Sequence, residues 1–242
     1  IVGSVREGVD RLNKIGDFPS TVESSKGAAP HQAPSLWDSQ RHAGRAEAAP
    51  SVVRCARQLL SSQDEQFGGF GGSPKFPTPH NLLFLLDYGV RHGKSDSLDG
   101  VRHTLKRMRY GGIYDQIASG FHRYAVDRAW KIPHFEKMLV DQAFLLLAYA
   151  RCGAWLGHNL SQRTARELAG FITREMTSAE GLFHTAIDAD SEGEEGVFYT
   201  WSLDEIHRSL TLTESALIEE IYHLRPEGNY LEERTGYPNG RN

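Results

Sequence analysis

The chain has 242 residues, with 27 Lys and Arg against 31 Asp and Glu, a formal charge of −4, and 39% apolar residues. That balance argues against a nucleic-acid partner, which requires a basic surface to displace counterions, and it leaves enough apolar material for a folded core. No stretch holds the roughly 18 to 20 uninterrupted apolar residues of a membrane span, and the segment from Ile1 to Arg6 lacks the apolar region of a secretory signal, so no membrane partner is expected.

Cys55 and Cys152 stand far apart with no C-x-x-C or Cys/His ligand spacing around them. Neither a disulfide framework nor a structural zinc site is expected, and a reduced, cytoplasmic setting fits. The first residue is not Met, so the chain reads as a fragment or a processed product.

In chain order, Val5, Val9 and Leu12 recur at helical spacing, enough for a short amphipathic helix. Residues 16 to 50 carry Ser, Gly, Pro, Ala and charge without a lasting period, and residues 1–50 are expected to form a partly disordered lead-in. From Pro50 onward apolar residues at three- and four-residue intervals predict helices over about 51–63, 80–92, 96–109, 134–152, 161–176, 203–210 and 213–224. Long Gly-bearing, aromatic-rich loops separate them at 67–79, 111–133 and 181–201, and connections of that length in a compact domain tend to carry function. Phe183, Ala186 and the run Val197 to Trp201 look strand-like, which predicts a short β-ribbon in the third loop. Antiparallel helices with long loops on alternate connections suggest hairpins around an axis. A mainly α, partial toroid over 51–242 fits better than a four-helix bundle, whose loops would be short.

The first loop, from Phe67 to Pro79, invites a phosphate reading, but it runs Ser73-Pro74-Lys75-Phe76-Pro77 where a P-loop needs Gly-Lys-Ser/Thr. An entry turn for the helix after Pro79 is the simpler account. The second segment concentrates Tyr114, Asp115, His122, Tyr124, Trp130, His134, Glu136 and, on the following helix, Asp141. Aromatic faces that stack on C–H surfaces, beside carboxylates that take hydroxyls, form a sugar-binding palette, and histidine is suited to acid/base work near neutral pH. With a helix starting near Pro133, His134, Met138 and Asp141 fall at i, i+4 and i+7, so the acid can orient the imidazole. The third segment places Asp188, Asp190 and Glu192 at positions 1, 3 and 5 of an EF-hand-like string with Gly193 at 6, but Tyr199 stands where the bidentate Glu belongs. These residues can be a solvated turn, a catalytic acid in a cleft, or a nonstandard divalent-cation site; no other cofactor is expected.

The strings GGFGGSPKFPTPHNLLFLL at 68–86, GGIYDQIASGFHRYAVDRAWKIPHFEKMLVDQAFLLLAYA at 111–150 and DADSEGEEGVFYTW at 188–201 resemble the spermatogenesis-associated protein 20 and YyaL-type family of thioredoxin-domain-containing proteins. The resemblance implies an α/α toroid similar to six-hairpin glycosidases and N-acylglucosamine 2-epimerases, preceded by a thioredoxin-like domain. No C-x-x-C occurs here, so the redox part is not carried over, and about half the toroid is expected to be present, with inward apolar faces left exposed. The fold resemblance supports sugar chemistry by association only. The expected activity is glycoside hydrolysis or sugar epimerisation, with a small sugar as ligand. His122, His134, Asp115, Glu136, Asp141, Asp188 and Asp190 are its acid/base candidates, and Tyr114, Tyr124, Trp130, Tyr199 and Trp201 its binding surfaces. The alternative is a noncatalytic scaffold that accompanies a redox domain and binds a protein partner.

Overall fold

The computed structural model describes residues 48–231, 236 and 238–242; the expected lead-in and its short helix lie outside the described residues. Among these, seven helices follow one another: α1 (Pro50–Ser61), α2 (Pro79–His92), α3 (Ser95–Arg109), α4 (Leu139–Leu156), α5 (Asn159–Glu175), α6 (Leu203–Ser209) and α7 (Leu212–Tyr222). Their ends follow local chemistry. Pro50 and Pro79 open α1 and α2, where a missing N–H costs nothing. Gly93 and Gly157 close α2 and α4 at φ 63° and 62°, a left-handed conformation that glycine adopts without strain. Ser202 with Glu205, and Thr211 with Glu214, form capping boxes at the starts of α6 and α7.

Tight turns at Gly93-Lys94, Gly157-His158 and Leu210-Thr211 join α2 to α3, α4 to α5 and α6 to α7, while long connections join the hairpins. Turns and long connections alternate, so every long loop emerges at the same end of the helices. Within the hairpins α2 packs on α3 and α4 on α5; between them α2 packs on α4 and α3 on α5. This gives two layers, α2 with α4 and α3 with α5, the arrangement of an incomplete α/α toroid.

The sequences of the layers differ accordingly. α3 and α5 have one apolar face and one charged face, as outer helices do. α4 is apolar nearly all round, with mean hydropathy 1.2 over its 18 residues, and by length and composition it could cross a membrane. It nevertheless carries Asp141, Gln142 and Arg151. One side of it buries Leu145, Ala148, Tyr149 and Cys152 against Leu82, Leu85, Leu105 and Leu168, and the other leaves Val140, Phe144 and Leu147 exposed at i, i+4 and i+7.

Six two-residue strands pair antiparallel in the loops: β1 (Tyr124–Ala125) with β2 (Pro133–His134), β3 (Lys137–Met138) with β4 (Ala186–Ile187), and β5 (Asp190–Ser191) with β6 (Glu194–Glu195). Two readings of the sequence change here. Residues 133–138 are extended and α4 begins at Leu139, so His134 and Asp141 do not share a helix face. Of the strand-like residues of the third loop, Ala186 lies in β4 and Phe183 bridges Thr177, whereas Val197 to Trp201 form no strand and the loop's own ribbon lies at 190–195. It turns through Glu192 and Gly193 at φ 57° and 85°, the geometry of a two-residue hairpin with both central residues left-handed.

The Gly-rich loop is an internal clamp. Asp64 accepts hydrogen bonds from Lys75 Nζ at 2.7 Å, from Arg128 Nε at 2.7 Å and Nη2 at 3.0 Å, and from the N–H groups of Gln66 and Phe67. Burial alone would raise its carboxyl, but these partners hold it well below the usual range. Lys75 bridges to Ala125 through the backbone, tying the first loop to the second. A Cβ at Gly69 would sit 2.5 Å from the Trp130 ring, and one at Gly68 2.7 Å from Thr104 Cα, so this approach requires glycine. Because Lys75 is fully buried, Asp64→Ala would leave an uncompensated ammonium. We expect a loss of about 3–5 kcal/mol in urea unfolding; a loss under about 1 kcal/mol would show that the clamp does not hold the loop.

Candidate functional site

The extended segment 133–138 has two faces. Pro133, Phe135 and Lys137 are buried, the first two lining a cavity of about 890 Å³; His134 and Glu136 point the other way and are partly exposed. The sequence-predicted residues divide between these faces.

On the buried face, the Lys137 ammonium lies 2.7 Å from Asp115 Oδ2, donates to the Ser119 carbonyl at 3.0 Å, and sits over the Phe171 and Tyr199 rings. Asp115 Oδ1 accepts from the N–H groups of Ile117 and Ala118, both at 2.9 Å. Burial raises the Asp115 carboxyl, but the Lys137 charge and these hydrogen bonds outweigh it and the net shift is downward. His122 is packed edge-on against Phe135 and Tyr199, whose rings stack on each other. Its Nδ1 lies 3.0 Å from the Phe135 carbonyl, which can only accept, so Nδ1 carries the proton. Burial first, and the neighbouring Lys137 ammonium second, push its pKa down to about 3. His122 is therefore neutral at neutral pH and neither an acid nor an effective base there, its Nε2 able only to accept a hydrogen bond.

The other residues of this side are largely committed. Tyr114 donates to Glu167 at 2.8 Å beneath the Arg109 guanidinium. Burial raises the hydroxyls of Tyr114 and Tyr199 far above the ordinary phenol. Trp201 lines the cavity, and its backbone pairs with Asn242. Trp130 does not serve as a stacking platform: it is fully buried, its indole N–H donates to the Phe67 carbonyl at 2.9 Å, and the Lys75 ammonium covers its ring.

On the open face, His134 Nδ1 lies 2.6 Å from Glu195 Oε1, off the line a hydrogen bond requires, and its Nε2 lies 3.9 Å from Glu136 Oε2. Glu195 Oε1 also accepts the Phe135 N–H at 3.1 Å, and Arg123 Nη1 donates to Glu136 at 2.9 Å. The imidazole stacks on Tyr124 at 4.8 Å, and Phe76 covers Tyr124 at 4.9 Å. Tyr124 is thus the middle of a stack rather than an open platform, and the exposed ring is Phe76. Asp141, in the first turn of α4, completes the patch; burial raises its carboxyl, Arg123 lowers it and Glu136 raises it, with a net upward shift.

Asp188, Asp190 and Glu192 are exposed on the β5–β6 hairpin and its approach, where Asp188 accepts the Asp190 N–H and Asp190 stands across from Glu195. Among the described residues no group of three or more His, Cys, Asp or Glu is placed to hold a metal ion. The sequence-predicted cation site is therefore a hairpin turn. Glu195, Arg123 and Lys137 are the functional side chains that motif reasoning passed over. Glu195 reaches His134 across about sixty positions, which no spacing reveals; Lys137 was legible as a charge inside an otherwise buried string.

Segments 68–86, 111–150 and 188–201 thus build the two faces of one loop assembly. No protein-family profile matches the chain. It is 40% identical over 205 residues to spermatogenesis-associated protein 20 of Mus musculus, covering 76% of this chain and 26% of that protein, and 39% identical over 197 residues to the Homo sapiens protein. This chain is a homologue of part of spermatogenesis-associated protein 20. It spans about a quarter of the length of the curated relatives it matches. Among solved structures, a sugar epimerase from a ruminal bacterium aligns with a TM-score of 0.49 at 15% identity, covering 71% of this chain and 53% of that one. An unsaturated glucuronyl hydrolase specific for heparin aligns with a TM-score of 0.49 at 16% identity, covering 57% and 42%.

The His122 environment predicts a pH dependence. The unfolded chain takes up the imidazole proton near pH 6.5, whereas the folded chain takes it up near pH 3. Stability is therefore full above about pH 6.5 and falls as pH drops through that window, by at most about 1.4 kcal/mol per pH unit. Asp115, with its lowered carboxyl, adds its own loss only below the ordinary carboxylate range. In His122→Gln, urea unfolding between pH 6.5 and 4.5 should show a flatter profile than in the wild type; parallel profiles would place the titration elsewhere.

Proposed function

We infer that the open face of the 133–138 segment is a proton-transfer site for a carbohydrate. The observation that carries this reading is the His134 imidazole held between Glu195 and Glu136 on the Tyr124 ring, with Arg123 and Asp141 in the same patch. Carboxylates flank both ring nitrogens, at 2.6 Å from Nδ1 and 3.9 Å from Nε2, and the ring is partly exposed, so a ligand that enters the patch meets an imidazole and two carboxylates together. Asp141, whose carboxyl holds its proton to higher pH than usual, is the proton donor of the patch. Arg123 and Glu136 supply the hydrogen-bonding groups that sugar hydroxyls take, and Phe76 the exposed ring.

The geometry favours proton transfer over two-carboxylate hydrolysis, because Glu136 and Glu195 flank an imidazole rather than an empty gap for a scissile bond. A two-histidine epimerisation is disfavoured as well: His122 lies on the buried face, so the second proton carrier on this side is Asp141.

The test is sugar binding followed by exchange. Thermal shift against monosaccharides, amino sugars and uronic acids should identify a stabilising sugar, and NMR in D2O should show solvent deuterium entering one of its C–H positions. His134→Ala and Glu195→Gln should lower that exchange by about 10² to 10⁴-fold, while Asp99→Asn, exposed near the start of α3 at the opposite end of the helices, leaves it unchanged. Exchange unaffected by His134→Ala, or no stabilising sugar at all, would favour the noncatalytic scaffold reading instead.

A further inference from the structure

The 890 Å³ cavity on the buried face is large enough for a ligand of its own, since pockets of roughly 300–1,000 Å³ hold drug-sized molecules. Its wall does not suit a sugar. A sugar presents hydroxyls on every side, and each one buried without a partner is costly. Several polar groups of this wall are already committed within the protein. Asp115 is held by Lys137 and two backbone N–H groups, the Tyr114 hydroxyl by Glu167, and His122 Nδ1 by the Phe135 carbonyl. The Gln116 amide bonds Arg109 and the carbonyls of Gly111 and Tyr114.

The wall also carries aliphatic surface and positive charge, although the Arg107 guanidinium lies over the Phe67 ring at 5.1 Å. Ile117, Ile132, Ile218 and Ile221 line it, with Arg107, Lys131 and Arg225. None of these three cations is in an ion pair among the described residues, and the buried Nε of Arg107 has no hydrogen-bond partner. The only carboxylate on the wall among the described residues is Asp115, already neutralised by Lys137. The backbone of the last turn of α3 and that of residues 130–131 pack together through Gly111 and Gly112. A Cβ on Gly111 would meet the Trp130 and Arg107 carbonyl oxygens, and one on Gly112 would run into the Lys131 carbonyl, so the chain packs there as only glycine allows.

We propose that this cavity binds a medium-chain carboxylate, with the aliphatic tail against the isoleucines and the carboxylate head among Arg107, Lys131 and Arg225. The site is separate from the His134 patch and does not depend on it. The 242-residue chain is titrated with hexanoate, octanoate, decanoate and decanol by isothermal calorimetry, with intrinsic tryptophan fluorescence as a second readout. Affinity should rise roughly fourfold for each added methylene, as burial of one CH₂ requires, and decanoate should bind at least about tenfold more tightly than decanol. The Arg107→Gln/Lys131→Gln double variant, checked for folding by circular dichroism, should lose that preference while retaining the decanol affinity. If the variant does not fold, the wild-type comparison of decanoate with decanol decides alone. Equal affinity for decanoate and decanol, no gain with chain length, or no binding would overturn the proposal.

Discussion

The loop end of this protein depends on the buried ammonium of Lys137. A charge taken out of water must be paired and its remaining donors satisfied, and here Asp115 and the Ser119 carbonyl do this within hydrogen-bond distance. Because the segment is extended, fixing Lys137 inward fixes its neighbours in alternation. Phe135 and Pro133 turn inward with it; Glu136 and His134 turn out. A slip of one residue would strand Lys137 in solvent and drive Glu136 into the space beside Asp115, placing two carboxylates together without a cation. The ion pair thus sets the register that separates the two faces.

The helices beneath present that segment because their sequences assign them to layers. α3 and α5 spend their polar residues on one side, whereas α4 has few to spend, so the outer position suits the former and the inner position the latter. Each hairpin turn is tight, so the inner helices all begin at the end where the long loops gather. Asp141 and Gln142 open α4 within that loop assembly. Gln142 uses its amide to pair both backbone groups of Phe121, at 2.8 and 2.6 Å, which locks the strand before His122 to the helix after it.

Much of this was legible from periodicity. The helices at 51–63, 80–92, 96–109, 161–176, 203–210 and 213–224 end within a few residues of their predicted bounds, since Pro, Gly and capping boxes mark them. The start of α4 was not legible. Pro133 imitates a helix opening, and the alternation that betrays a strand is disguised because one of its inward residues is a lysine. The acidic string at 188–195 imitates a cation loop for a similar reason: acids are poor strand formers, so only the Glu192-Gly193 pair at the turn hints at the hairpin. Trp130 reads as a ligand platform by type, and only the glycines that fold the first loop over it show that the protein itself occupies its faces.

The contrast between the two faces follows from how completely their polar groups are paired. Toward the core, a group without a partner carries the full cost of desolvation, so Lys137 is paired with Asp115, Tyr114 with Glu167 and His122 with the Phe135 carbonyl, and such contacts hold shape rather than exchange protons with a ligand. Toward the open face, water can complete what the protein leaves unpaired. There His134 rests beside Glu195 without a well-aligned hydrogen bond, and Asp141 is burdened by the neighbouring Glu136. His134 Nδ1 is itself shielded from solvent, but the imidazole as a whole is partly exposed, so a ligand can reach the ring. Proton chemistry therefore belongs on the His134 side of the segment, although both histidines stand within one short stretch of sequence.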